Sequence, residues 1–241
     1  MIKEFKIEDK VMTNPIVQTS NRIVRIGGNN VNIYIREDIR DFSQYVEIIE
    51  GIHSLGEDDE VKIYLNSPGG RLDVTAEICD AIKNSPAHFT AVPIFHNASA
   101  STIIALSCDE MVVDEVKTSF MIHAASFGHW GTHCNIKTWT NFFPEHLAYY
   151  IREVYRDFLS EEEIETILEN REIYLNGREI LERWEHRQEV RQYEEMERGM
   201  ENLRHTINSL IATYVEEVPN KLEITLPEGF RRTQIKINEI K

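Results

Sequence analysis

Apolar and polar positions alternate in a way that predicts strands followed by helices from about residue 31 onward. Residues 31–35 (VNIYI) and 61–65 (VKIYL) are short β-rich runs. After the first run, Asp41 is placed to cap a helix whose apolar residues recur every three or four positions. After the second run, the turn NSPGG leads into a helix that begins near Leu72. The chain therefore predicts two successive units of a strand and a helix.

The same order continues to about residue 123. Residues 89–95 (FTAVPIF) predict a third strand, and residues 98–106 (ASASTIIAL) predict a buried helix after it. Two more short strands are predicted at residues 111–113 (MVV) and 120–123 (FMIH). Because strands that alternate with helices are joined by crossover connections, we expect the α/β class, with a mainly parallel sheet that helices cover on its faces.

Helices dominate the rest of the chain. A helix over about 136–158 carries more aromatic surface than one helix normally hides in its own subunit, so a subunit interface and ordinary core packing both fit. Ser160 and Glu163 then have the capping-box spacing that starts a new helix. Residues 185–241 predict a charged helix with an apolar stripe, followed by two β segments, KLEITLP and RRTQIKINEI. We divide the chain into an N-terminal arm (1–25), a main domain (26–184) and a C-terminal extension (185–241).

Charge and cysteine usage narrow the class of protein. Asp and Glu outnumber Lys and Arg by 41 to 26, a formal charge of −15, which is the opposite of the basic surface that nucleic acids require. The three cysteines, Cys79, Cys108 and Cys134, are an odd number at unrelated spacings, which fits neither a disulfide framework nor a zinc ribbon. No apolar stretch reaches the ~18 residues that a membrane span needs. We expect a cytoplasmic protein with free thiols and with no nucleic-acid or membrane partner.

The most specific local pattern is NSPGG at positions 66–70, between a buried strand and a helix. Two glycines let the backbone turn sharply and leave its N–H groups uncrowded, which is how main chain builds an oxyanion hole. The same residues are also common in turns without any chemical role. The pattern alone leaves both interpretations open.

Two further residues add the parts of a nucleophilic site. Ser99 stands where a predicted strand meets an apolar helix, so the amide of Ala100 can face a developing negative charge, although serine is also a favoured helix cap. Ser101, two residues later, can likewise be either the nucleophile or a helix cap. His123 ends an apolar strand, where a histidine alone is most often a core residue. A serine, a histidine and a glycine turn together on an α/β scaffold indicate nucleophilic acyl transfer.

Residues 31–184 resemble the ClpP-type serine endopeptidases, particularly the divergent members encoded by bacteriophages. NSPGG at 66–70 and MIH at 121–123 match family motifs, and SASTIIAL is similar to the run that starts at the family's nucleophile. The resemblance implies the ClpP/crotonase-like fold of stacked crossover units. It also implies that Ser99 is the nucleophile, since Ser99 is reached from Gly70 without gaps. Phe95 stands where the family usually has glycine, and placing an insertion differently would instead promote Ser101 as the alternative nucleophile.

The resemblance also implies the other site residues. The family aspartate corresponds to Glu172, which is still able to orient and stabilise a histidine ring, and Glu169 and Asp157 are poorer substitutes. The implied oxyanion donors are the N–H groups of Gly70 and Ala100. The implied substrate-binding residues are Gly69 and, in a hairpin over residues 126–133, Phe127 and Gly128, where an extended peptide would add as a strand.

No cofactor and no metal are expected. His129, His133 and Cys134 lie on a glycine-interrupted hairpin without a nearby carboxylate, which is poor geometry for a metal site. Cys108 has no basic neighbour to activate it and is expected to be a buried thiol.

The resemblance implies a polypeptide substrate and a ring-shaped homo-oligomer, with the helix over about 136–158 as the contact between stacked rings. It leaves open whether an ATP-driven (AAA+) unfoldase docks on the ring. Two other functions fit the same motifs. A crotonase-type acyl-CoA enzyme uses the same crossover fold and backbone oxyanion hole without a nucleophilic serine. A ring-forming assembly protein that has lost activity would account for Phe95 and Glu172.

Overall fold

The computed structural model describes residues 21–126 and 130–217, with side chains up to residue 211. The strands are β1 (Arg22–Gly27), β2 (Asn30–Ile35), β3 (Glu60–Leu65), β4 (His88–Pro93), β5 (His96–Ala98), β6 (Glu110–Met111), β7 (Ser119–Ile122) and β8 (Ile173–Asn176). The helices are α1 (Val46–His53), α2 (Leu72–Asn84), α3 (Ala100–Leu106), α4 (His133–Tyr155), α5 (Glu161–Leu168) and α6 (Gly177–Glu217).

The strands form two sheets. Five strands lie in the order β1-β2-β3-β4-β6, and all neighbouring pairs are parallel except β1 with β2. Three strands lie in the order β5-β7-β8, in which β5 and β7 are parallel and β8 is antiparallel to β7. The α/β class with a mainly parallel sheet, expected from the hydrophobic pattern, is confirmed.

The core lies where helices cover the larger sheet. Every second residue of β2 and of β3 is buried, as expected for strands with one face in the core. All seven residues of α3 are buried, which its small and aliphatic side chains permit. The helix α3 thereby holds the residue just before it, Ser99, at the boundary between core and surface.

Several predicted helix starts are confirmed, and some bounds differ. The Asp41 side chain accepts a hydrogen bond from Ser43 N at 2.9 Å, but it caps a single 3-10 turn that precedes α1. The capping box of Ser160 and Glu163 is present at the start of α5. The charged helix α6 begins at Gly177, eight residues before the expected position 185, because Asn176 and Glu179 bond across its first turn.

At its two ends the chain is only partly described. The residues after the predicted arm boundary at 25 continue β1, which forms an edge hairpin with β2. The two β segments expected near the C-terminus lie outside the described residues. The chain divides into two compact units, Met1–Val190 and Arg191–Lys241. Of the helices that the structure describes, none combines the length and apolar character that crossing a bilayer requires.

Candidate active site

Ser99 occupies a strained turn between β5 and α3. Its φ of 55° and ψ of −127° are unusual for a residue with a side chain, so the surroundings must hold it there. Its amide donates to the carbonyl of Met121 at 2.7 Å, and its carbonyl accepts from the amide of Thr102 at 2.9 Å. The side chain is half-buried. A partly accessible serine on a strained turn between a strand and the first residue of a helix is suited to act as a nucleophile.

A buried pair of hydroxyl groups supports this turn from inside. The Thr102 hydroxyl donates to the Ser99 carbonyl at 2.7 Å, and the Tyr155 hydroxyl lies 2.7 Å from the same Thr102 oxygen. Because the single proton of Thr102 is directed at Ser99, Tyr155 is the donor to Thr102. Burial raises the pKa of Tyr155, so its hydroxyl stays protonated. These two hydrogen bonds connect Tyr155 on α4 to the backbone of Ser99.

The turn NSPGG is tied to β5, the strand that leads to Ser99. The Asn66 side chain accepts from the amide of His96 at 3.3 Å, and the Ser67 carbonyl accepts from the amide of Ala98 at 3.0 Å. The Ser67 hydroxyl donates to the Glu37 carbonyl at 2.6 Å. The first two residues of the motif therefore position the glycines beside Ser99.

Neither glycine of this turn leaves room for a side chain. At Gly69 (φ +89°), an added Cβ would lie 2.4 Å from the Ala98 carbonyl oxygen and 2.8 Å from the Ser99 Cβ. At Gly70 (φ +154°), it would lie 2.0 Å from the Ile39 carbonyl oxygen. Both contacts are with atoms that have little freedom to move, so the turn requires glycine at both positions.

Two backbone N–H groups are left available at this point. Ile39 donates to the Gly69 carbonyl and accepts from the amide of Arg71, so in this parallel bridge the N–H of Gly70 points away from Ile39. Ala100 is the first residue of α3, where amides lack partners within the helix. Among the contacts of the described residues, neither amide has a protein acceptor. Two such donors meet the chemical requirement for an oxyanion hole.

His123 directly follows β7, the strand beside β5. Ala98 and Met121 are paired in the parallel register of β5 and β7, so Ser99 and His123 leave neighbouring strands at the same edge of the sheet. Both residues, together with Gly69 and Gly70, line one cleft of about 1130 Å³. The structure therefore brings the predicted serine, histidine and glycines to one cleft.

Glu172 directly precedes β8, which runs antiparallel to β7. Ile122 pairs with Ile173 at the end of the ladder, so His123 and Glu172 are the next residues along the two neighbouring strands. The Glu172 side chain is exposed, and its carboxylate accepts a hydrogen bond from the Tyr174 hydroxyl at 2.7 Å, which raises the pKa of Tyr174. No hydrogen bond joins Glu172 to His123 in the described part of the chain, and Glu172 does not line the cleft.

The comparison with known families fits this geometry. The model of the Clp protease family ("Clp protease") matches residues 18–183 of the 241. The chain belongs to the Clp protease family. The resemblance to ClpP-type enzymes seen in the sequence is therefore confirmed, and membership of the family supports a protease-type function. Proteins of the Clp protease family typically form rings and act on polypeptides.

A second similarity is much shorter. An uncharacterized protein of Methanocaldococcus jannaschii is 29% identical to this chain over 69 residues. The match covers 29% of this chain and 24% of that protein. It concerns a part of each chain and adds no functional information.

Ser101, the other serine that the sequence offered as a nucleophile, lies in the core. Ser101 is fully buried on α3, and its hydroxyl donates to the Asn97 side chain at 3.1 Å. It is not among the residues that line the cleft. The alternative carboxylates are engaged elsewhere, Glu169 with Arg171 and Asp157 with Arg156.

One wall of the cleft was not expected from the sequence. Phe143, His146, Leu147 and Tyr150 line it from α4, and the ion pairs Asp38–Arg40 and Arg71–Asp73 stand at its edge. The spacing of the α4 residues, at positions 143, 146, 147 and 150, is that of one helix face. This spacing is the signal that could have identified them.

The remaining expectations concern the hairpin and the cysteines. Phe127, Gly128 and His129 lie outside the described residues, whereas Ala125 and Ser126, just before them, line the cleft. Within residues 21–126 and 130–217, no three His, Cys, Asp or Glu side chains are close enough to hold a metal ion. Burial raises the pKa of the Cys108 thiol well above its usual range, so it is a poor nucleophile.

Proposed function

We propose that this member of the Clp protease family is a serine endopeptidase that uses Ser99, His123 and Glu172. The observation that carries the proposal is the strained Ser99 turn, which opens into the same cleft as His123 and Gly70. A hydroxyl on a strained turn beside an imidazole and two unpaired backbone amides has the parts of acyl-transfer catalysis.

In the first half of the reaction, the Ser99 Oγ attacks the carbonyl carbon of a peptide bond while His123 accepts the hydroxyl proton. The amides of Gly70 and Ala100 donate to the oxyanion that forms, and one such donor typically contributes ~3 kcal/mol to the transition state. His123 then gives its proton to the leaving nitrogen. The C–N bond breaks, and the acyl group remains on Ser99.

In the second half, water takes the place of the leaving amine. His123 accepts a proton from the water as its oxygen attacks the acyl carbon, and the same amides bind the new oxyanion. The proton then returns to Ser99 Oγ, and the carboxylic acid product leaves. Glu172 orients the His123 ring and stabilises its protonated form. The Tyr174 hydroxyl binds only Oε2 of Glu172, so the other carboxylate oxygen, Oε1, is left to accept from the His123 ring.

Substrate binding is proposed at the edge of the cleft. Because His133 is already the first residue of α4, the proposed pairing with an extended polypeptide uses the main chain of residues 126–132, with Phe127 and Gly128, and Gly69 lines the same cleft. Main-chain pairing depends little on side chains, which favours cleavage of many sequences. The proposed mechanism needs no cofactor.

The test is covalent labelling of the purified full-length chain with a fluorophosphonate probe. We expect labelling of the wild type, none of Ser99→Ala, and labelling of Ser101→Ala, the control serine two residues away. Cleavage of a fluorogenic peptide should follow the same order. If Ser99→Ala cleaves as fast as the wild type, the proposal is wrong; if neither is labelled or active, the chain is an assembly-type member or a crotonase-type enzyme instead.

We further propose that α4 contributes to a ring-shaped homo-oligomer. No side chain in its first half, up to His146, is buried, and Phe142 and Tyr149 are exposed by 63% and 66%. Large exposed aromatic side chains on one helix are typical of an interface. Sedimentation velocity should show a smaller assembly for Phe142→Glu than for Lys137→Glu, a control change on the same helix. An unchanged mass for Phe142→Glu would exclude this face.

A further inference from the structure

Residues 191–211 of α6 carry a straight stripe of exposed apolar side chains. The side chains are Tyr193, Met196, Met200, Leu203, Ile207 and Leu210, and each is between 47% and 62% exposed. Their spacings are three, four, three, four and three residues. This is the seven-residue repeat in which every a and d position is apolar, the pattern of a two-helix coiled coil.

The repeat is long enough to form an interface. From residue 193 to residue 210 it spans about two and a half heptads, or about 27 Å of helix at 1.5 Å per residue. An apolar stripe of this length on a helix whose other positions are mainly polar or charged is a surface that a second helix covers. The regular spacing favours one partner helix that lies along the stripe.

The identity of that partner follows from the symmetry of the stripe. In an antiparallel pair of identical helices, Tyr193 meets Leu210 of the other copy, Met196 meets Ile207, and Met200 meets Leu203. In every layer the two residue numbers add up to 403, so all six side chains are covered and none is left over. A stripe that matches itself in reverse is suited to a second copy of this chain.

Charge at the flanks also favours the antiparallel pairing. Glu197 and Arg204 are the charged residues next to the stripe at its e positions, which face each other in an antiparallel pair. Each Glu197 then lies beside Arg204 of the other copy, which gives two ion pairs per dimer. In a parallel pair, Glu197 would face Gln192 and Arg204 would face Gly199, and no opposite charges would meet.

We propose that residues 191–211 of two copies of this chain form an antiparallel coiled coil. This contact is separate from the α4 face and does not depend on peptidase activity. It assigns the C-terminal extension a role as a dimerisation element that joins subunits in pairs.

Disulfide cross-linking of the full-length chain tests the pairing and its direction. In a Cys134→Ser background, the double variant Tyr193→Cys/Leu210→Cys should form covalent dimers under mild oxidation. Tyr193→Cys alone should not, since the two copies of position 193 lie at opposite ends. The control Arg198→Cys/His205→Cys has the same residue sum of 403 but lies on the outer face, and should also stay monomeric on denaturing gels.

Each outcome decides the proposal. Cross-linking of the 193/210 pair above the control supports it. Cross-linking of Tyr193→Cys with itself shows a parallel pair and overturns it, and absence of any cross-link above the control shows that no second copy covers the stripe.

A charge exchange provides a second measurement that needs no cysteine. Glu197→Lys alone and Arg204→Glu alone should each lower the average mass in sedimentation at low salt, by up to two-fold. The double variant Glu197→Lys/Arg204→Glu should restore the wild-type mass, since the ion pairs are then only reversed. Circular dichroism of each variant checks that the helix is intact. Failure of the double variant to recover, with its helix intact, would overturn the proposed register.

Discussion

The backbone amide of Ser99 donates a 2.7 Å hydrogen bond to the carbonyl of Met121. Met121 lies two residues before His123, so this one bond fixes the strained turn to the strand that ends at the histidine. The distance between the serine and histidine backbones is therefore set by the sheet and not by a loop. In the proposed mechanism, a site built in this way is positioned before substrate arrives, which reduces the reorganisation that the reaction requires.

Substitution of Gly70 should damage both folding and activity. Gly70→Ala places a Cβ against the Ile39 carbonyl oxygen and displaces the N–H proposed as an oxyanion donor. We expect a loss of about 2–4 kcal/mol in the free energy of unfolding and at least a ~100-fold lower kcat. Urea unfolding and peptide cleavage measure the two effects. Gly56→Ala is the matched control, because an added Cβ there meets nothing within 4 Å; equal stability of the two variants would contradict the tight contact.

Removal of the Thr102 hydroxyl should loosen the Ser99 turn. Thr102→Val keeps the shape but removes the bond to the Ser99 carbonyl and leaves the buried Tyr155 hydroxyl without its acceptor. We expect about 1–3 kcal/mol lower stability and a lower kcat with little change in KM.

Two control variants separate this effect from a general loss of stability. Tyr155→Phe should lower kcat less than Thr102→Val, because Thr102 still bonds Ser99. Thr166→Val removes a similar hydroxyl bond on the solvent-facing side of α5 and should leave kcat unchanged. A kcat for Thr102→Val equal to that of Thr166→Val would show that the turn does not need this support.

The choice of carboxylate is tested by three glutamine or asparagine substitutions. Glu172→Gln should lower kcat by about 10²–10⁴-fold without affecting folding, because an amide neither stabilises a charged imidazole nor holds the required tautomer. Glu169→Gln and Asp157→Asn should remain active, since their carboxylates pair with Arg171 and Arg156. Steady-state peptide cleavage compares the three, and full activity of Glu172→Gln would remove Glu172 from the proposed triad.

The stability of the domain should fall in acid through Glu163. Hydrogen bonds from Arg183 hold the pKa of Glu163 at about 2, below its usual value of 4.5. A carboxylate with a lowered pKa stabilises the folded state above pH ~4.5, and this contribution, about 2 kcal/mol after allowance for partial exposure, is lost as the pH falls from ~5 to ~2.

Unfolding by urea at several pH values measures this loss. Glu163→Gln should be less stable than the wild type at pH 7, and the difference should shrink towards pH 2. Glu162→Gln, a change at the exposed neighbouring position, should keep the wild-type pH dependence. A constant difference between Glu163→Gln and the wild type at all pH values would show that the carboxylate charge is not the cause.

The order of strands and helices was predictable because periodicity records burial directly. Strand β3 alternates as expected, and the small residues of α3 indicated a helix packed on all sides. The two glycines were predictable because a sharp turn between a strand and a helix favours them, and Ser99 and His123 were predictable because they stand at motif positions of the ClpP-type family. These features depend on residues close together in the chain.

Contacts between distant segments were not predictable. Ile39 stands alone among charged residues, and nothing local indicates that its backbone pairs with Gly70. The hydrogen bond between Glu172 and Tyr174 depends on side-chain rotamers, which a motif does not specify. The sequence showed an apolar stripe on α6, but not that every one of its side chains is exposed, which is the observation behind the proposed antiparallel pairing.

The bare main chain at Gly69 and Gly70 also limits how this cleft can evolve. A side chain at either position meets neighbouring backbone atoms or the Ser99 Cβ itself, so substitutions at Gly69 and Gly70 are not tolerated. Side chains of α4, including Phe143 and His146, form another part of the lining, and none of them belongs to the turn that carries Ser99. New cleavage preferences would therefore arise from α4 while the chemistry stayed constant.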